Sequence, residues 1–412
     1  MLRYLYLYRH SLMRYILISF FLSGFYFTSK AQNIPLETNI QESGIVYLNY
    51  FLNRIMTGNM DSFNIKLVDL KRSGKGRVTV VHIGDSHIQP DLFSSVIRNN
   101  LQDFFGDAGR GLVFPHRLAR SNSPDDVSAS SSATWNYNRL VHPEKQIYAG
   151  ITGFVLQTTD FPAYINISLK PNKRGNQYFD LVKIFAIPAW HPLGIGLLPT
   201  PANDSNGVSI FRFEKPVNNL SMVTAYSGKQ QFYGVSLEKN APGLLWHTIG
   251  VNGARYEHYN NNKLFWEQLR HLKADLIIVS LGTNEAQNDQ FNETDFYGQV
   301  DRFIEYSRNS CPGVSILITT PQDSYRFGRS NENIYRVSNS LTNYCIRKNI
   351  PLWDLYRITN GYGSASNWYK KRLLGQDRIH FTAMGYRIQG RLLFNALAQE
   401  YNRYVNINQN LR

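Results

Sequence analysis

Short apolar runs that take turns with helical stretches constrain this chain more than any other feature of its sequence. RVTVVHI at 77–83 is followed by a segment, about 91–105, in which Phe93, Val96, Ile97, Leu101 and Phe104 fall on one helical face. After residue 247 the pattern returns. A helical stretch at about 262–273 precedes DLIIVSL at 275–281, another at about 294–309 precedes VSILITT at 314–320, and a third at about 331–347 precedes IPLWDL at 350–355. Thr382 stands where it can cap a last helix reaching about Tyr401. Apolar runs linked through helices predict an α/β fold, a parallel sheet wrapped by helices. In such a sheet ligands bind beyond the carboxyl ends of the strands.

The middle of the chain has a different texture. SNSPDDVSASSSAT at 121–134 is polar, Ser-rich and without period, and reads as a linker. From there to about 246 short runs such as AYINISLK, YFDLVKIFAI, VSIFRFE and QFYGVSLE are rich in β-branched and aromatic residues and are separated by Gly, Pro and Asn. Evenly spaced runs of this kind predict an all-β sandwich. The expected organisation is therefore a discontinuous domain of 32–124 and 247–412 with a β module, 125–246, inserted into it. Residues 32–76 read as a helical lead-in, with Tyr47, Phe51, Ile55 and Met56 at helical spacing and a turn at SGKG, 73–76.

The N-terminus reads as a signal peptide over 1–31. Arg3, Arg9 and Arg14 precede an apolar run from Tyr15 to Phe27, and Ser29-Lys30-Ala31 forms a small-x-small site before Gln32. A retained anchor is the alternative, but the run is short for a spanning helix. No later segment is long and apolar enough to span, so no stable membrane insertion is expected once the signal is removed. The formal charge is +14; Arg3, Arg9, Arg14 and Lys30 are the charged residues of 1–31, so the remainder keeps +10. In an exported, periplasmic or extracellular protein that balance suits an anionic envelope partner, and it serves simple solubility equally well. No basic–aromatic recognition motif points to nucleic acid. Cys311 and Cys345 are the only cysteines; one disulfide and two buried thiols are equally open.

Chemistry concentrates at three places. The run 77–83 ends in Gly84-Asp85-Ser86, the run 276–281 ends in Gly282-Thr283-Asn284, and Asp377 and His380 sit three residues apart before the last helix. A serine needs a histidine to take its proton, and an aspartate fixes the histidine tautomer. An amide side chain can donate to the oxyanion that forms on acyl transfer. Ser86 is thus the expected nucleophile, His380 the base and Asp377 its orienting partner. Taken singly, each has a plainer role available: a serine turn for Ser86, a turn-forming Asn after a strand for Asn284. His82, His87, His247, His258 and His271 compete with His380. His82 reads as a core residue, and the His87 side chain is expected to point away from that of Ser86. Asp85 and Glu285 read as loop-holding residues. HxH and HExxH spacings, glycine-rich phosphate loops and a G-x-S-x-G elbow are not found, so no metal or cofactor is expected and a conventional α/β-hydrolase is disfavoured.

GDS at 84–86, GTNE at 282–285 and DRIH at 377–380, in this order, resemble the SGNH (GDSL-type) hydrolases, and GVNGA at 250–254 resembles the family's glycine block. The resemblance covers about 77–124 and 247–400. It departs from the family at His87, where Leu is usual. GDSHIQPD at 84–91 and AGRGLVFP at 108–115 look closer to the branch that contains bacterial peptidoglycan O-acetylesterases. The resemblance implies a three-layer fold, an inserted carbohydrate-binding-like β module and an oxyanion hole made of the Ser86 and Gly253 N–H groups and the Asn284 amide, with Gly250 as the alternative glycine. It also implies a serine esterase acting on small acyl groups, O-acetyl foremost, of an acylated polysaccharide or peptidoglycan. A glycan O-acetyltransferase with the same triad, a lipase or lysophospholipase, and a non-catalytic glycan-binding protein remain as alternatives. Trp135 and Trp190 could stack on sugar rings, although core packing suits each better.

Overall fold

A computed structural model describes residues 32–37, 48–145, 147–194, 197–198, 207–224 and 226–410. The expected signal segment at 1–31 lies outside the described residues. The centre of the molecule is a five-stranded parallel sheet built from β1 (Arg77–Gly84), β2 (Gly243–Gly250), β3 (Leu276–Ser280), β4 (Ser315–Thr319) and β5 (Leu352–Trp353), in the spatial order β2-β1-β3-β4-β5. Val80, Val81, Ile83, Ile277, Ile278 and Val279 are completely buried, as expected for strands covered on both faces. β1 pairs with β2 from Arg77↔Gly243 to Gly84↔Gly250 and with β3 from Val80↔Leu276 to Gly84↔Ser280. This register brings the ends of β2, β1 and β3 to one edge of the sheet. The expected helices are present at Ser94–Phe105, Lys263–Leu269, Glu293–Ser310 and Glu332–Lys348. The last, Ala383–Asn410, starts after Thr382, whose Oγ1 accepts the Gly385 N–H at 3.3 Å.

The β module consists of two antiparallel sheets. One runs in the order Asn136–Arg139, Phe154–Thr158, Gln230–Glu238, Phe179–Ile187, Val208–Val217 and Leu197–Leu198. The other is Val127–Ser131, Ala163–Leu169, Asn219–Thr224 and His191–Leu193. In the second sheet alternate residues are buried, and Ile165, Ile167, Leu220 and Met222 share a core with Phe154, Leu156, Val182, Ile184 and Phe232 of the first. Trp190 is fully buried within that core, 5.8 Å from the Phe232 ring, and half-buried Trp135 packs against it at 5.9 Å, so neither tryptophan is an open platform.

Four details differ from the sequence reading. The Ser-rich segment at 121–134 contains a strand, Val127–Ser131, paired to Ala163–Leu169. Its backbone groups are satisfied by a partner distant in sequence, which serine-rich composition conceals. Gly109–Val113 pairs antiparallel with Gln230–Glu238 and so extends a module sheet. Strand β2 begins at Gly243, ahead of the expected return at 247. In the lead-in, Tyr47 lies outside the described residues. Tyr50–Leu52 is a single 3₁₀ turn, and Met56 exchanges backbone hydrogen bonds of 2.7 and 2.8 Å with Leu352 at the sheet edge. The helix of this region instead occupies Asp61–Ser73 and ends at Gly74, φ +61°. Its C-cap conformation suits glycine.

A buried charge cluster joins these parts. Asp91 accepts from Arg98 at 2.8 Å and from Arg110 at 2.7 Å, while Arg110 Nε reaches Asp126 at 2.5 Å. Both guanidinium groups are out of water, so their pairing is obligatory rather than decorative. Cys311 and Cys345 are buried free thiols. Among the described residues no helix is long and apolar enough to cross a membrane.

Candidate active site

The three sheet-borne elements of the site follow adjacent strands. Ser86 follows β1, the GVNGA turn follows β2, and Asn284 follows β3. β1 can end so close to β3 because residue 84 is glycine: a Cβ there would lie 2.7 Å from the Ser280 carbonyl oxygen. The chain then turns sharply, with Ile88 N–H donating to the Asp85 carbonyl at 3.1 Å and the Asp85 Oδ1 accepting the His87 N–H at 2.9 Å. The turn leaves Ser86 half-buried with its hydroxyl toward the C-terminal loop. Ser86 Oγ lies 2.8 Å from His380 Nε2, and His380 Nδ1 lies 2.7 Å from Asp377 Oδ2. The second oxygen of Asp377 accepts the N–H groups of Ile379 and His380, both at 2.9 Å. Partial burial alone would raise the Asp377 pKa; the hydrogen bonds from the His380 ring and from these two backbone groups outweigh it and hold the carboxyl below its ordinary range. An ionised Asp377 favours the imidazole tautomer with its proton on Nδ1, which leaves Nε2 free to accept from the serine.

Gly250 and Gly253 separate clearly. Gly250 is the last residue of β2, and a Cβ on it would meet the Gln89 backbone nitrogen at 2.2 Å, so it serves the close packing of the β1 turn. Gly253 lies in the following turn at φ +84° with nothing near its absent Cβ. It has the open backbone that a ligand-facing N–H requires. Asn284 opens a one-turn helix, Thr283–Ala286, and its Nδ2 donates to the Ala254 carbonyl at 3.0 Å and to Asp85 Oδ2 at a longer 3.3 Å. The amide is thus tied to both neighbouring loops, and the weaker contact with Asp85 is the one a developing oxyanion can replace.

Asp85 and Glu285 hold loops, as expected, and are unusual in charge. Burial raises both to about 7, against hydrogen bonds that favour the charged form: the His87 N–H for Asp85 and the Tyr256 N–H, at 2.8 Å, for Glu285. His82 is a core residue, bridging Ser280 and Ser94 Oγ at 2.8 Å each, and burial lowers its pKa to about 3. His247 is buried inside β2. His258 Nδ1 accepts the Arg255 N–H at 3.0 Å, and His271 sits in a turn before the amino end of β3. None of these reaches Ser86.

His87 is the departure from expectation. Its ring does not point away from the site: it stands 5.4 Å from the His380 ring and contacts Phe381 and Tyr386, whose hydroxyl is 3.1 Å from His87 Nδ1. Burial and the neighbouring His380 push its pKa down to about 3, so it is a neutral wall against the base. Ser86 and His87 lie in a turn, where successive side chains need not point to opposite sides as they do in a strand.

Residues 223–388 match the GDSL-like Lipase/Acylhydrolase family. The matched segment begins inside the module and holds Gly253, Asn284, Asp377 and His380, while Ser86 lies outside it. A solved structure described as a peptidoglycan O-acetylesterase in action superimposes with a TM-score of 0.71 at 21% identity, over 85% of this chain and 99% of that one. A lipase/acylhydrolase from Enterococcus faecalis (18% identity, TM-score 0.30, covering 38% of this chain and 77% of that one) and a putative acylhydrolase from Bacteroides fragilis (19%, 0.29, 41% and 76%) also match, but too loosely to bear on the fold. None of the curated proteins matches the chain in sequence. The strand-end placement of the motifs, their order and the match of residues 223–388 agree, and the chain is similar to the SGNH (GDSL-type) carboxylic ester hydrolases.

Proposed function

We propose that the protein is an exported serine esterase that removes small acyl groups, O-acetyl foremost, from a glycan such as peptidoglycan. The observation that carries this reading is the continuous relay Ser86 Oγ–His380 Nε2–His380 Nδ1–Asp377 Oδ2, with contacts of 2.8 and 2.7 Å. In this scheme Ser86 Oγ attacks the ester carbonyl while His380 takes its proton. The oxyanion forms against the N–H groups of Ser86 and Gly253 and the Asn284 amide. His380 then gives the proton to the departing sugar oxygen, leaving an acetyl-serine. A water that loses its proton to His380 cleaves this intermediate to acetate and restores Ser86.

The glycan part of the proposal is supported by the fold shared with a peptidoglycan O-acetylesterase and by the basic composition. In the same reading 1–31 is a removable signal, 32–124 with 247–412 is the hydrolase body, and 125–246 is its insertion. Acetate release decides the matter. The purified enzyme is expected to hydrolyse p-nitrophenyl acetate faster than butyryl and longer esters and to release acetate from O-acetylated peptidoglycan. Preference for octanoyl esters with no acetate from any acetylated glycan would make it a lipase. Acetate transfer to a glycan acceptor in place of release would make it a transferase.

A further inference from the structure

Between the two loop-borne members of the triad lies Arg378, which has no part in the relay. Its backbone is fixed: φ is +56°, its N–H donates to the Gly375 carbonyl at 3.0 Å, and its carbonyl accepts the Tyr325 N–H at 2.9 Å. Its side chain is fixed as well. The guanidinium stands 4.7 Å from the centre of the Tyr325 ring and 4.6 Å from that of Tyr369. Both contacts are with aromatic rings, which leave its N–H donors without a charged partner. Among the described residues no carboxylate is paired with them, although other half-buried arginines have one, as Arg77 and Arg326 do. The surroundings are basic too. From Leu355 to Gln399 Asp377 is the sole acid, while Lys370, Lys371, Arg372 and Arg387 are exposed on the same stretch.

We propose that Arg378 recognises a carboxylate carried by the substrate, so that the preferred ester is an acylated glycan with an acidic group on or next to the acylated sugar. The inference rests on the esterase reading and narrows it. A guanidinium held against two aromatic rings loses little freedom on binding and presents the fork that fits a carboxylate's two oxygens. Placed one residue from Asp377, it couples recognition of the acidic group to the loop that carries the base. The tyrosines shield it from solvent without neutralising it, which a salt bridge would do.

Kinetics on full-length enzyme test this with three substrates: O-acetylated polygalacturonate, which carries carboxylates, O-acetylated xylan stripped of uronic acids, and p-nitrophenyl acetate. Arg378→Gln is expected to lower kcat/KM on the polygalacturonate at least roughly tenfold, through KM, as expected for loss of one charge-assisted pair. Its activity on the two neutral substrates should stay within about twofold of wild type. Arg378→Lys, which keeps the charge and loses the fork, should fall between. A parallel loss on all three substrates would show that Arg378 only shapes the triad loop, and an unchanged KM on the polygalacturonate would show that it touches no substrate carboxylate. Either result overturns the proposal with the esterase reading intact. A wild-type enzyme that releases acetate from none of the three would overturn both.

Discussion

The two halves of the triad are held in different ways. Ser86 ends a strand whose core residues are completely buried, and the turns with Gly253 and Asn284 follow the strands on either side of it. Asp377 and His380 belong to no strand. Their side chains are 52% and 45% exposed, and their turn is held by the Ile379 and His380 N–H groups on Asp377, by the Gly375 N–H on the His380 carbonyl and by the Tyr325 N–H on the Arg378 carbonyl. The contrast teaches that the proposed nucleophile and oxyanion donors are positioned by sheet register, while the proposed base is positioned by a local turn. Damage to the strand ends that carry the first half should reach stability as well as activity; removal of a reacting side chain in either half should reach activity alone.

The largest effects test the relay itself. Ser86→Ala and His380→Ala should each lower kcat on an activated acetyl ester by at least roughly three orders of magnitude, with the circular dichroism spectrum and melting temperature unchanged. Asp377→Ala should cost roughly tenfold less than His380→Ala, since orientation is only part of what the base needs. Near-wild-type turnover by the Ser86 variant would remove it as the nucleophile.

Next comes Asn284→Ala, expected to cost about 3 kcal/mol of transition-state stabilisation, read in kcat. A rise in KM alone would reassign the amide to substrate binding. The two glycines then sharpen the comparison. Gly250→Ala forces a Cβ to 2.2 Å from a backbone nitrogen and should lose roughly 1–3 kcal/mol in denaturant unfolding. Gly253→Ala meets no atom and carries only the strain of φ +84°, about 1 kcal/mol. The reverse ranking would show that the β2 end is looser than its packing implies.

The last effect concerns pH. Glu285 holds its proton better folded than unfolded, so its contribution to stability is greatest below its ordinary value of 4.5 and declines as pH rises toward about 7. Glu285→Gln keeps the acceptor for the Tyr256 N–H and removes the ionisation. Its unfolding free energy should therefore fall less than that of wild type between pH 5 and 7, by on the order of 2 kcal/mol. Identical pH slopes would mean that water reaches the carboxylate.

Much of this was readable in the sequence because parallel strands buried on both faces leave uninterrupted apolar runs, and their carboxyl ends are where Gly84-Asp85-Ser86 and Gly282-Thr283-Asn284 stand. What could not be read depends on partners far away. The strand Val127–Ser131 carries a serine-rich sequence and gains its conformation from Ala163–Leu169, and Gly109–Val113 finds its partner in Gln230–Glu238. Met56 is extended because an edge strand takes its backbone groups, against the helical spacing of its neighbours. His87 was misplaced for the opposite reason, a purely local one: a turn does not alternate its side chains as a strand does.

The hydrogen bond between Ser86 and His380 joins residues 294 apart. A ribosome therefore delivers the nucleophile long before the base, and a chain still being made holds a serine with nothing to activate it. Bringing such distant ends together is a late, entropically costly step. If His380 is the base, hydrolysis is a property of the finished molecule only: a chain cut short before residue 380 is expected to carry the GDS motif and yet be inert.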